Sequence, residues 1–215
     1  MDNNHNNNTF MIIAIIGSTG SIGKGFVLQF ANTVENTIYV CGRDKDRTAA
    51  ATEEYKKIVN HPEMLIPVTI QHGIENSDIV ILAIPADGLE DIYKLQEFFK
   101  LGQIIISPVV DFKNPSIISV AEKIQTRLSF TKVVSAFQNV PAHIMETSEK
   151  RPTILVSSDF DDAKKIIIDL INHDTKFYAL DAGALKNSRV IEQLTPLLVK
   201  IAKLNGLKDL SIKVE

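Results

Sequence analysis

Three glycines, Gly17, Gly20 and Gly23, stand three residues apart at the end of the apolar run Phe10 to Ile16. Glycine at the first position lets the chain turn sharply off a strand. At the second it removes the Cβ that would hold a phosphate away from the backbone, and at the third it lets a helix pack close to the sheet. A helix that begins there presents N–H groups and the positive end of its dipole, a combination suited to a pyrophosphate. The segment Gly17-Ser18-Thr19-Gly20-Ser21-Ile22 is therefore read as a dinucleotide cradle. About 20 residues on, where such units recognise the ribose, the chain reads Gly42-Arg43-Asp44-Lys45-Asp46-Arg47. Arg43 and Arg47 lie one helical turn apart and could converge on the 2′-phosphate of NADP. Asp44 turned into the site would instead favour the ribose hydroxyls of NAD. The positive surplus favours NADP(H), and the plain alternative is a solvated helix start.

Two further stretches stand where open α/β sheets keep their ligands. Ser77 to Pro85 is an apolar strand ending in proline, which places the backbone of Ala83, Ile84 and Pro85 along the cofactor's centre. Phe137-Gln138-Asn139-Val140-Pro141-Ala142-His143 follows a later strand and is the expected place for a second ligand opposite the nicotinamide, unless it is an ordinary proline-containing connection. No Gly-x-Ser-x-Gly elbow and no acid/base carboxylate pair accompanies them. His5, His61, His72, His143 and His173 are scattered without metal spacing, and only His143 falls near the expected site. No catalytic side chain and no metal ligand is assigned. A dinucleotide site of this kind fits hydride exchange between two bound cofactors, where positioning supplies the rate.

The elements that must position these residues follow from periodicity. After the first strand, Ile22, Phe26, Val27 and Phe30 form one helical stripe, and Thr37 to Cys41 reads as the second strand. A helix is expected over 46–60, irregular chain over 61–73 around Pro62 and Pro67, then a helix over 87–100, a strand over 103–106, a helix near 116–127 and a strand over 132–136. A strand–helix–strand unit from Thr153 to Leu180 should finish the sheet. A long helix with Val190, Ile191, Leu194, Leu197, Leu198, Ile201 and Leu204 at helical spacing closes the chain, kinked at Pro196 and available for core or dimer contact. The expected architecture is α/β: a Rossmann-type doubly wound parallel sheet with a small C-terminal α/β extension and a long C-terminal helix. Its divisions are a disordered Asn-rich lead-in over 1–9, an NADP-binding domain over 10–136 and a smaller extension over 137–215.

Composition bounds the partners. With 215 residues, a net charge of −3 and 45% apolar residues, the chain carries no electrostatic footprint for nucleic acid or membrane. The single cysteine, Cys41, allows neither an internal disulfide nor a cysteine-based zinc site and suits a reducing, cytoplasmic compartment.

Several segments together resemble the coenzyme F420-dependent NADP oxidoreductases: Gly17 to Gly23, Ser77 to Pro85, Ser107-Pro108-Val109-Val110, Val133 to Ala142, Leu180 to Arg189, Leu194-Thr195-Pro196-Leu197 and Asn205-Gly206-Leu207. The resemblance covers nearly everything after residue 10, in order. It implies hydride transfer between reduced F420 and NADP+, reversible and direct from ring to ring; a cytoplasmic homodimer is expected. By it, Thr19 and the backbone of Ser18 to Ile22 hold the NADP phosphates, Arg43 and Arg47 hold the 2′-phosphate, and Ile84 and Pro85 lie by the nicotinamide. Val140, Pro141 and Ala142 place the deazaflavin by backbone donors, with apolar cover from Leu207. Two positions depart from the family: Gly42 stands where serine is frequent, and Gln138 where some relatives have histidine. The alternatives are an NADPH-dependent reductase of another flavin or a small imine, and a non-catalytic NADP-binding regulatory protein.

Overall fold

The computed structural model describes residues 10–33, 36–114, 116–147, 151–208 and 210–214; the lead-in expected over 1–9 lies outside them. Its first part runs β1 (Met11–Ile16), α1 (Ser21–Phe30), β2 (Asn36–Cys41), α2 (Lys45–Lys56), β3 (Leu65–Val68), α3 (Ile70–Asn76), β4 (Ile79–Leu82), α4 (Leu89–Tyr93), β5 (Ile104–Ser107), α5 (Val120–Arg127) and β6 (Lys132–Ser135). These strands form one parallel sheet in the order β3-β2-β1-β4-β5-β6. The chain works outward from β1 to β3 and then returns to β4, so a crevice opens beyond the carboxyl ends of β1 and β4, the place where such sheets bind ligands.

The apolar run of β1 is explained by burial on both faces. Ile13 and Ile15 pack with Phe26, Val27 and Phe30 of α1, while Ala14 and Ile16 pack on the other face with Ile74 of α3 and Leu89 of α4. The chain then continues through α6 (Ala142–Thr147), β7 (Thr153–Val156), α7 (Asp161–Asp174), β8 (Tyr178–Asp181) and α8 (Ser188–Leu204). Ile154, Ile167, Ile171 and Phe177 of this region join the same core as α1.

Four local expectations change. The stretch 61–73 is not irregular: it holds β3 and the start of α3. Pro67 is tolerated because β3 is an edge strand, pairing only with β2, and Thr69 caps α3 by accepting the His72 N–H at 3.2 Å. The helix expected over 87–100 is broken into two 3-10 turns and the five-residue α4, with Gly88 just before α4. The helix expected near 116 begins at Val120, because Ser119 and Glu122 form a reciprocal capping box there. Finally, β7 and β8 do not finish the main sheet. They make a separate two-stranded parallel sheet joined to β6 by an antiparallel bridge between Ser135 and Ser157. The chain leaves β6 through Phe137, whose φ of 70° is costly for a bulky residue. Its ring is held edge-on by Phe26, Phe30 and Phe177, at centroid distances of 4.9, 6.3 and 5.8 Å. α8 is continuous through Pro196.

Candidate active site

The glycine turn is built as its spacing predicts, with one refinement. Gly17 has φ +86°, and a Cβ there would meet the Ala83 carbonyl oxygen at 2.3 Å; a Cβ on Gly23 would meet the Gly17 oxygen at 2.2 Å. Gly23 thus lets the helix close on the turn's own backbone rather than on the sheet. Gly20 is different: its added Cβ has only the Gly17 oxygen nearby, at 3.4 Å, and so projects into open space. Gly20 caps α1 without a side-chain bond, and the first intrahelical bond is Lys24 N–H to the Gly20 carbonyl at 2.8 Å. The N–H groups of Ser21 and Ile22, at the first positions of α1, face outward from the helix start with no intrahelical partner.

Ser18 serves the turn itself. Its hydroxyl and N–H both donate to the Cys41 carbonyl, at 2.9 and 3.3 Å, and its own carbonyl accepts the Tyr55 hydroxyl at 2.9 Å. The groups left for an anion are therefore those of Thr19, Ser21 and Ile22. Cys41 is buried, which pushes its thiol up to about 12 and leaves it inert. At the end of β2, Asp44 accepts the Arg47 N–H at 2.9 Å and so caps α2. One oxygen of its carboxylate is used by the cap, and the side chains of Asp44, Arg43 and Arg47 are all exposed there. The glycine at position 42 also has a local cause: a Cβ there would meet the Thr48 hydroxyl at 2.2 Å.

Beyond this turn lies a cleft of about 1030 Å³, at the top of the range for drug-sized ligands (roughly 300–1,000 Å³) and roomy enough for two ring systems. It is walled by Gly20, Ser21 and Ile22 at the cradle, by Ala83, Ile84 and Pro85 after β4, by Val140 and Pro141 after β6, and by Leu207 beyond α8. Gly17, Ser18, Thr19, Gly42, Arg43, Arg47 and Ala142 do not line it. His143 is exposed and does not line it either. Within the loop after β6, the Val140 N–H is bonded to the Phe137 carbonyl at 3.2 Å and Pro141 has no N–H. Of the three expected backbone donors, only Ala142 retains one.

The polar residues of the loop that border the cleft are Gln138 and Asn139. Gln138 donates from Nε2 to the Ser107 carbonyl at 2.8 Å and to the Ser135 hydroxyl at 2.5 Å, and Asn139 donates to the Thr153 carbonyl at 2.7 Å. Both residues are buried and line the cleft, yet the side-chain oxygens Oε1 of Gln138 and Oδ1 of Asn139 have no partner. A buried acceptor left unpaired is costly, and both oxygens are sealed within the protein rather than open to the cleft.

The opposite wall comes from α8, through Thr195, Leu198, Val199 and Ala202. The sequence placed an apolar helix here without assigning it to the site, since helical spacing alone does not tell a ligand-facing stripe from a core one. Its docking is specified at α5. Glu192 accepts the N–H groups of Val120 and Ala121 at 2.9 and 3.3 Å, and Arg189 makes a fork of 2.7 and 2.6 Å bonds to Glu122. Arg189 holds the Glu122 carboxyl down at about 2, whereas burial pushes Glu192 up to about 7 despite its two N–H donors. Thr195 further ties α8 to the loop, donating to the Gln138 carbonyl at 2.6 Å. No cluster of three or more metal-ligating side chains occurs among the described residues.

Residues 12–111 match the family described as NADP oxidoreductase coenzyme F420-dependent. The F420-dependent NADP reductase of Methanocaldococcus jannaschii is 35% identical over 206 residues, spanning 88% of this chain and 91% of the relative. That of Methanothermobacter thermautotrophicus is 27% identical, spanning 95% and 94%. A crystal structure from Arthrobacter sp. FB24, described as a candidate F420-dependent NADP reductase, superposes with a TM-score of 0.76 at 18% identity, spanning 95% of this chain and 99% of that one, a likeness of fold. By its likeness to the M. jannaschii enzyme along nearly the whole of both chains, this chain belongs to the F420-dependent NADP reductase family.

Proposed function

We propose that the protein transfers a hydride reversibly between reduced coenzyme F420 and NADP+. The observation that carries this reading is a single cleft that joins an open phosphate cradle to a largely apolar cavity. When bound, the two coenzymes supply the redox chemistry between the deazaflavin and nicotinamide rings. Thr19, Ser21 and Ile22 hold the pyrophosphate, with Gly20 giving it room, and Arg43 and Arg47 hold the 2′-phosphate. Ala83, Ile84 and Pro85 back the nicotinamide. Gln138 and Asn139 hold the loop in place through their amide N–H groups, the Ala142 N–H donates, and Val140, Pro141 and Leu207 cover the deazaflavin. These residues align two rings and exclude water, and no side chain need move a proton.

In this reading residues 10–136 carry the NADP(H) half and 137–215 complete the deazaflavin half. A homodimer is supported by the outer stripe of α8, where Val190, Leu197, Ile201 and Leu204 are 71, 50, 37 and 74% exposed at a near-heptad spacing. A cytoplasmic location suits the single buried thiol. The direct test mixes the protein with F420 and NADPH and follows the absorbance of the oxidised deazaflavin. Bleaching coupled to NADPH loss is expected. A protein that binds NADPH and leaves the deazaflavin oxidised would contradict the reading.

A further inference from the structure

The charged residues on the cleft are unevenly distributed. On the wall after β4 and β5, Asp87 pairs with Lys113 at 3.1 Å, and Asp111 accepts the N–H groups of Lys113 and Asn114 at 3.0 and 2.9 Å. That wall sets two carboxylates against one ammonium. On the opposite wall the cleft-lining charges are Lys203 and Lys208, with no carboxylate between them on the lining and no ion pair to either among the described residues. In a chain with a net charge of −3 this is a local reversal of sign.

The fold builds this wall deliberately in one respect: the turn that carries Lys208 is fixed at both ends. Gly206 adopts φ +63°, the Leu207 N–H closes back on the Ala202 carbonyl at 2.9 Å, and the Gly206 N–H reaches the Lys203 carbonyl at 3.5 Å. This is a Schellman turn, and it brings Leu207 and Ala202 together on the cleft. Further on, the Thr153 N–H donates to the Ile212 carbonyl and the Val214 N–H to the Thr153 hydroxyl, both at 2.9 Å, which ties the chain beyond Lys208 to β7. Lys208 is thus spanned between two anchors beside the apolar cover of the ring site, with Lys203 one turn of backbone away.

We infer that Lys203 and Lys208 form an anion subsite for the phosphodiester and glutamyl carboxylates that coenzyme F420 carries beyond its ribityl chain. The inference rests on the deazaflavin reading of the cleft. It assigns the two ends of the site to different anions: Arg43 and Arg47 to the nucleotide's 2′-phosphate, and the α8 terminus to the tail of the second coenzyme. Exposed lysines suit a tail of variable length, because they attract charge without fixing its geometry.

The test is binding, read from deazaflavin fluorescence in the holoprotein saturated with NADP+. Three ligands are titrated: the complete coenzyme, the same molecule with the phosphodiester but no glutamates, and the ring with its ribityl chain alone. In the Lys203→Ala/Lys208→Ala protein the Kd of the complete coenzyme should rise roughly three- to tenfold, as expected for one or two exposed ion pairs, and its salt dependence should flatten. The ribityl compound should bind as it does to the unaltered protein, and Lys200→Ala, which changes a lysine of α8 off the cleft lining, should alter neither. A loss already present with the phosphodiester ligand assigns the lysines to the phosphate, and a loss confined to the glutamylated one assigns them to the carboxylates. Equal losses for tailed and tail-free ligands, or no loss at all, would overturn the subsite. Failure of all three ligands to bind the unaltered protein would instead remove the deazaflavin reading, and the subsite with it.

Discussion

Gly20→Val separates the two jobs that glycines do in this turn. At Gly17 and Gly23 a Cβ would sit 2.3 and 2.2 Å from backbone oxygens, so those positions are required for folding. At Gly20 the backbone is extended, with φ −89° and ψ 167°, and a Cβ meets nothing closer than 3.4 Å. Valine adopts that conformation, and losing glycine at a helix cap for a β-branched residue costs at most about 1 kcal/mol. The added methyls occupy the space over the Ser21 and Ile22 N–H groups. Each charge-assisted bond to a phosphate is worth roughly 1.5–3 kcal/mol, so displacing two should raise the NADPH dissociation constant by about 10²- to 10⁴-fold. NADPH fluorescence titration measures the loss, and thermal unfolding confirms that the fold is kept. Unchanged affinity in a folded Gly20→Val protein would refute this placement of the pyrophosphate.

Arg43→Ala should weaken NADP binding by roughly tenfold or more, one charge-assisted contact, and leave NAD binding as it was; equal losses for both nucleotides would show that Arg43 does not meet the 2′-phosphate. Glu192→Gln should change the pH dependence of stability. Because the folded protein holds the Glu192 proton up to about 7, against an ordinary 4.5, its contribution is most favourable below about 4.5 and is lost as pH rises to about 7. Glutamine keeps one of the two acceptors, without the charge, and sets its amide N–H2 against the other backbone N–H, so urea unfolding should find the variant gaining stability relative to the unaltered protein between pH 4 and pH 8, by up to about 3 kcal/mol. No such gain would show that the two N–H donors outweigh burial. His143→Ala should retain the maximal rate with both coenzymes bound, since His143 does not line the cleft. A collapse of that rate would reveal a proton-transfer role.

The cradle was legible in the sequence because glycine types at fixed spacing encode backbone requirements directly, and Gly17, Gly20 and Gly23 each show theirs. The parallel α/β sheet was legible too, because buried parallel strands read as unbroken apolar runs. β3 did not, because an edge strand four residues long can carry two exposed residues, Ile66 and Pro67, one of them a proline, without losing its pairing to β2. The separate β7–β8 sheet was hidden for another reason. It depends on the left-handed turn at Phe137, which no local propensity announces for phenylalanine and which only the surrounding rings of Phe26, Phe30 and Phe177 make tenable. In the site, the hydrogen-bonding capacity of Gln138 and Asn139 was visible as residue type only. That one end of each side chain is consumed by the fold and the other left unpaired is a tertiary fact. The same holds for α8, whose apolar residues divide between the cleft wall and an exposed stripe according to how Arg189 and Glu192 set its rotation on α5.

The central claim is that two rings exchange a hydride directly, with the protein supplying alignment alone. It is tested by incubating the protein with NADP+ and reduced F420 carrying deuterium at C5, and following the label by NMR and mass spectrometry. The account predicts that the deuterium appears at C4 of NADPH and not in water. Washout of the label into solvent at the rate of turnover would contradict it.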